Sequence, residues 1–247
     1  MNRSIWLQPL SKTHCPPWHC SECDLGTLAL VPKTLAFEES IKSVDARNDE
    51  NFDPDWIEYS FVAWAQCTNA KCKQKFAISG IGGVAPEYLP NGDWEYMAYF
   101  APRCCNPVLP LFRLPKKCPD AFSIELKLAF SLFWSAPSAC AGRIRAGLEV
   151  LMTYLGVPKR KKGANGRISD LSLHARIDLF AAEEPAIGTQ LMALKWLGNA
   201  GSHLGQVSQS DLLDAFEILE HALDELLLGR SKRVVVLARK LSRKHRR

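Results

Sequence analysis

Two cysteine pairs carry the most specific chemistry in this sequence: Cys20 and Cys23 in "CSEC", and Cys67 and Cys72 in "CTNAKC". A tetrahedral zinc ion takes four soft thiolates, and a tight turn between paired cysteines delivers two of them together. Forty-three residues separate the pairs, which suits a ribbon carrying an insertion better than a compact finger. The second pair has the longer internal spacing, so His14, Cys15 and His19 stand as substitute ligands. Four thiolates leave no open coordination position, and the site expected is therefore structural zinc, not a catalytic metal. The nine cysteines follow a start, "MNRSIWLQPLSK", without the apolar core of a signal peptide. Reduced thiols or metal ligands are expected from them, not disulfides, and a cytoplasmic location with them.

A second constellation lies late in the chain. In "KWLGNAGSH", Lys195, Asn199 and His203 are spaced four apart and share one face of a helix. Histidine moves protons near neutral pH, and a lysine ammonium one turn away reaches a phosphate, although without the planar fork of arginine. Gly198 and Gly201 fall in the same stretch. Each costs roughly 1 kcal/mol in a helix interior, so the segment is expected to need a close backbone approach to a ligand or a neighbouring helix. That neighbour is read as the same helix of a second subunit.

Charge is unevenly placed. The net charge is +5, but residues 230–247, "RSKRVVVLARKLSRKHRR", hold nine Lys or Arg and no acid. The remaining 229 residues carry 22 basic and 26 acidic side chains, a balance of −4. A second basic cluster, "PKRKKGANGR" at 158–167, reads as a loop. Such local basic patches point to contact with RNA or DNA, or with an acidic partner. Arg230, Lys232, Arg233, Arg239, Lys240, Arg243 and Lys244 are the candidate contacts of the tail. Val234, Leu237 and Leu241 sit at helical spacing, so the tail is expected to form an amphipathic basic helix. The longest uncharged run, 128–142, contains Pro137 and is shorter than the ~18 residues a membrane span needs. No membrane contact is expected.

The elements that position these groups differ in the two halves. "GTLALV", "YSFVAWAQ" and "KFAIS" flank the cysteine pairs with strand-like residues, and "SVDARNDENFDPD" reads as a loop between them. Residues 1–105 are accordingly expected to be a cysteine-rich, zinc-ribbon-like β domain. Pro107, Pro110, Pro115 and Pro119 mark 106–118 as a connector. Cys104, Cys105 and Cys118 fall in the proline-rich stretch "RCCNPVLPLFRLPKKCP", where packing against the next domain is favoured over a second metal.

From Asp120 the periodicity becomes helical. A first helix places Phe122, Leu126, Ala129 and Phe133 on one stripe. Pro137 opens a second that Gly156 and Pro158 end. A third, over "SDLSLHARIDLFAAE", has Leu171, Ile177 and Leu179 as its apolar positions. Pro185 opens the fourth, and Ser208 to Asp211 form a capping box before the fifth, which Gly229 closes. The expected fold class is α+β: a β domain, a helical domain over 119–229 and a basic tail over 230–247.

Three of those helices together, "ACAGRIRAGLEVLMTYLGV", "LMALKWLGNAGSH" and "DLLDAFEILEHALDEL", resemble the family called domain of unknown function 4145. That family looks like a branch of the HEPN superfamily of helical bundles, often found beside defence or mobile-element genes. The resemblance covers about 119–229 and implies a HEPN-like bundle. Active HEPN ribonucleases cut RNA without metal, using an arginine that steadies the phosphate and a histidine four to six positions later. Asn199 and His203 match the polar residue and the histidine of that motif, but Gly198 stands where the arginine belongs and supplies no charge. The expectation is a non-catalytic protein that binds nucleic acid or a partner protein and forms a homodimer through its helical domain. Two alternatives remain: an endoribonuclease using His203, Lys195 and Asn199 across a dimer, with Arg143 or Arg145 converging on them, and a structural adaptor docked through the basic tail.

Overall fold

Strand β3 (Tyr59–Cys67) shows how the first half is built. Phe61, Ala63, Ala65 and Cys67 are buried while Ser60, Val62 and Trp64 are exposed, the two-residue alternation of a strand with one face on a core. A computed structural model describes residues 1–23, 25–90, 92–163, 166–201 and 207–246, and divides them into two compact units, 2–111 and Met1 with 112–247.

In the first unit, α1 (Ser4–Leu7) precedes β1 (Leu28–Leu30), β2 (Ala36–Glu39), α2 (Ile41–Ala46), β3, β4 (Lys75–Tyr88) and β5 (Trp94–Asn106). All pairings are antiparallel. β1 and β2 share one edge of β3, β1 at its Cys67 end and β2 at its Tyr59 end, and β4 then β5 follow on the other side. Phe37, Tyr59 and Phe61 surround the fully buried Phe100 ring at centroid distances of 5.0–6.3 Å. Gly80 is needed where β4 meets the bulge in β5: a Cβ there would strike the Ala101 carbonyl and come within 2.9 Å of the Arg103 nitrogen.

Two expectations are corrected in this unit. The acidic stretch after Ser40 is not all loop, because Ile41–Ala46 is helical. The Ser40 hydroxyl accepts from the Ser43 N–H and caps that helix, and the buried Ser43 hydroxyl donates to Glu39 at 2.7 Å. The proline-rich stretch does not begin at Arg103 either. Cys104 and Cys105 belong to β5, which pairs with β4 over its whole length, and the first proline of the stretch comes only after that pairing ends.

The second unit holds α3 (Asp120–Leu132), α4 (Pro137–Tyr154), a small hairpin of β6 (Arg160–Lys162) and β7 (Ile168–Asp170), α5 (Leu173–Ala181), α6 (Pro185–Ala200), α7 (Gln209–Leu223) and α8 (Arg230–His245). Pro137 and Pro185 sit in the first turns of α4 and α6, where the missing N–H is harmless. A π-helical turn, Asp224–Leu228, continues α7, and Gly229 ends it at a φ of +58°, a left-handed conformation that disfavours side chains. Ser208 and Asp211 make the reciprocal capping box of α7. Phe122, Leu126, Ala129 and Phe133 are all buried, and the Phe112, Phe130 and Phe216 rings cluster at 5.3–6.3 Å.

Two details differ from the sequence reading. The basic 158–167 stretch is not simply a loop, since Arg160–Lys162 pairs with Ile168–Asp170 and Arg160 reaches Asp170 at 2.9 Å. The third helix starts at Leu173, after Leu171, and buries Leu173, Arg176 and Ile177 while Leu179 is exposed. Among the described residues no helix is long and apolar enough to cross a membrane.

Candidate functional site

Two turns flanking the short β1 strand and the end of β3 bring four thiols together. The ligand atoms of Cys20, Cys23, Cys67 and Cys72 all lie within 4.8 Å of one another, with Cys20 to Cys72 at 3.8 Å and Cys23 to Cys67 at 3.6 Å. Leu28 pairs with Cys67, and the Cys20 N–H donates to the Gly26 carbonyl, so the sheet register carries both halves of the cluster. Lys73, at a φ of +54°, turns the chain out of the second pair and into β4.

Cys20 accepts from the N–H of Glu22 at 3.4 Å, and Cys23 from the side-chain amide of Asn69 at 3.5 Å. Such N–H donors favour the anionic thiolate. The Leu25 and Gly26 N–H groups, with the Asn69 amide, bring Cys23 down to about 6, whereas burial pushes Cys67 up to about 12. A bound dication favours the deprotonated form of every thiol in such a set. Gly26 has no room for a side chain, because a Cβ would overlap the Cys67 sulfur and lie 2.9 Å from the Asn69 nitrogen. The four cysteines are thus a group able to hold one metal ion.

The other candidate ligands stay out of it. His14 and His19 are exposed, and Cys15 is buried, its thiol pushed up to about 12 by burial alone. Cys104 is exposed and Cys105 buried, as neighbours on one strand must be. Burial pushes Cys105 up to about 12, which keeps it protonated. Among the described residues no other group of three or more metal-binding side chains comes together, Cys118 included.

The late constellation lies where α6 crosses α4. A Cβ on Gly198 would overlap that of Arg145 and stand 3.0 Å from the Ala141 carbonyl, and one on Gly201 would stand 2.5 Å from the Ser138 carbonyl. The close neighbour these glycines admit is therefore α4 of the same chain, which corrects the reading of a second subunit's helix. Arg145 fills the space beside Gly198, and its Nε donates to the Asn199 side-chain oxygen at 3.0 Å. Its pair with Glu149 is longer, at 3.9 Å. Arg143 does not converge on this face and meets Glu125 at 3.4 Å. Lys195 is 6% exposed and places its ammonium 3.3 Å from the centroid of the Trp196 ring, a cation–π contact in place of a free phosphate ligand. His203 lies outside the described residues.

Arg176 escaped the sequence reading. It is 2% exposed and donates to the Glu149 carboxylate and carbonyl, the Thr153 hydroxyl and the Val157 carbonyl, tying α5 to the end of α4. Its position among Leu173, Ile177 and Phe180 was the available clue, since a charged residue there falls on the apolar stripe of the helix.

Every residue of α8 is exposed. Arg230 pairs with Asp224 and Lys232 with Glu184, while Arg233, Arg239, Lys240, Arg243 and Lys244 have no partner among the described residues.

Residues 127–247 match the family model described as domain of unknown function (DUF4145), and residues 8–105 match another described as domain of unknown function (DUF8608). No curated protein and no solved structure matches the chain.

Proposed function

We propose that the helical part of this chain, which matches the DUF4145 family over residues 127–247, is a non-catalytic, HEPN-like module that holds nucleic acid, joined to a zinc-ribbon-like unit with one structural zinc. The observation that carries the binding reading is α8, a 16-residue helix with no buried residue and five cations that no acid neutralises among the described residues. The β6–β7 hairpin adds exposed Lys161 and Lys162 to the same unit. A cationic surface of this kind gains affinity for nucleic acid by releasing condensed counterions.

Zinc fits the cysteine cluster on its donor chemistry. A tetrahedral ion with Zn–S bonds of about 2.3 Å spaces its sulfurs about 3.8 Å apart, and two of the pairs already stand at 3.6 and 3.8 Å. Cys20, Cys23, Cys67 and Cys72 would hold it, and it would supply cross-linking without an open position for a substrate.

The ribonuclease alternative draws support from Arg145, whose side chain occupies the space beside Gly198 and touches Asn199. Against it, Arg145 is engaged by Asn199 and Glu149, and Lys195 by Trp196. Binding without cutting is the better reading.

The tail supplies the test. RNA and DNA affinity of the full chain is expected to fall steeply with salt, and deletion of 230–247 is expected to weaken binding at least tenfold and flatten the salt slope. Each phosphate contact contributes about 0.7–0.9 to that slope, so loss of several cations is easily measured by fluorescence anisotropy. An unchanged slope in the shortened protein would place the contact elsewhere.

A further inference from the structure

We infer that the outer half of the β4–β5 hairpin is a self-association arm, and that its aromatic face docks against the same face of a second copy of this chain. β3 stops pairing with β4 at Gly82, yet β4 and β5 continue together as far as Tyr88 and Trp94. This extension is a two-stranded ribbon, and such a ribbon is only marginally stable in water without something covering a face.

Its two faces differ sharply. Residues paired across the strands and alternating along them share a side. One side carries Val84 with Ala98, Pro86 with Tyr96 and Tyr88 with Trp94, six positions without a charged group. Tyr88 is 83% exposed, Trp94 56% and Tyr96 38%, and the Trp94 and Tyr96 rings meet edge to face at 5.4 Å. The other side carries Gly83 with Tyr99, Ala85 with Met97 and, at its outer end, Glu87 directly opposite Glu95. Like charges in that position repel, and only water or a cation eases them, so this side is the solvent side of the ribbon.

Charge selects the occupant. A two-fold contact presses one patch against itself, which costs little for an uncharged patch and much for a charged one. The aromatic side of the arm meets that condition. The α8 stripe of Val234, Leu237 and Leu241 does not, because Arg233 and Lys240 flank it and would face their own copies. α6 is also excluded as the dimer seam over Gly198 and Gly201, which are already packed on α4. A whole aromatic side chain buries about 150–250 Å², and here only the exposed parts of three per copy remain to be covered, so the contact is small for a specific interface. A weak dimer follows, since weak and transient encounters sit at this end of the size range.

Sedimentation of the full-length, metal-loaded chain tests this. The weight-average mass is expected to climb from monomer toward dimer with rising concentration. Trp94→Ser combined with Tyr96→Ser is expected to hold it at monomer. Tyr88→Lys, at a position exposed enough to leave folding alone, is expected to weaken the dimer at least tenfold at low salt and to regain part of it at high salt, where like charges are screened. Metal content and far-ultraviolet circular dichroism verify that the variants are folded. A wild-type mass that stays monomeric up to high concentration would overturn the inference. So would a dimer that survives both arm variants or that disappears only when 230–247 are deleted.

Discussion

Loss of the metal is expected to unfold residues 2–111 while residues 112–247 stay folded. The cluster joins Cys20 and Cys23, ahead of β1, to the end of β3 and the segment leading into β4, so those segments lose their common anchor when it opens. Structural zinc in small domains contributes about 10–16 kcal/mol of apparent binding energy, and forfeiting it is expected to cost this unit on the order of 5 kcal/mol or more. Cys67→Ser, or extraction with a strong chelator, should therefore abolish hydrogen-exchange protection across β1, β3 and β4, with α3 to α7 still protected. Elemental analysis should find one zinc per chain in the wild type and none in Cys67→Ser. Cys104→Ser serves as the control, since this exposed thiol lies outside the cluster and should leave zinc content unchanged. Gly26→Ala is expected to behave like a partial ligand loss, because its methyl group would enter the space of the Cys67 sulfur. Full zinc retention in Cys67→Ser would remove the assignment.

The second large effect is expected at Gly198. Alanine improves intrinsic helix stability by about 1 kcal/mol over glycine, so on an open helix surface Gly198→Ala would be stabilising. Here the added methyl group meets the Arg145 side chain and the Ala141 carbonyl, and neither can move without shifting α4. Overfilling a tight contact commonly costs about 1–3 kcal/mol, and Gly198→Leu is expected to exceed that range because part of the obstruction is backbone. Urea unfolding followed by far-ultraviolet circular dichroism should show Gly198→Ala less stable than wild type and Gly198→Leu much less so. His203→Ala is expected to change stability far less. Equal stability of Gly198→Ala and wild type would mean that α6 does not approach α4 closely.

Much of this was legible in the amino-acid sequence because the governing interactions are local. The paired cysteines, the proline starts of α4 and α6 and the Ser208–Asp211 capping box each depend on spacings of a few residues. What was missed depends on distant partners. Nothing near Cys104 and Cys105 in sequence says that β5 will run back far enough to pair them with Ser79 and Ile78 at the start of β4, and the prolines that follow disguise the strand. Arg176 is buried because α4 offers it a carboxylate, a hydroxyl and a carbonyl, each more than twenty residues away along the chain. The glycines of α6 announced a close approach, but only the fold supplies α4 as the neighbour. Lys195 is the exception: its charge looked available for phosphate, but its partner, Trp196, is the next residue in the chain.

The claim that this chain holds nucleic acid without cutting it is tested most directly by one incubation. Full-length, zinc-loaded protein is mixed with an end-labelled structured RNA at low salt without magnesium, at concentrations that saturate binding, and both retention and RNA length are read over hours. Acid–base catalysis by a histidine typically contributes about 10² to 10⁴-fold, so an active site built on His203 would leave a clear difference between wild type and His203→Ala. The RNA is expected to be retained and intact, with wild type and His203→Ala indistinguishable. Cleavage by the wild type that His203→Ala abolishes, or no retention even at low salt, would contradict it.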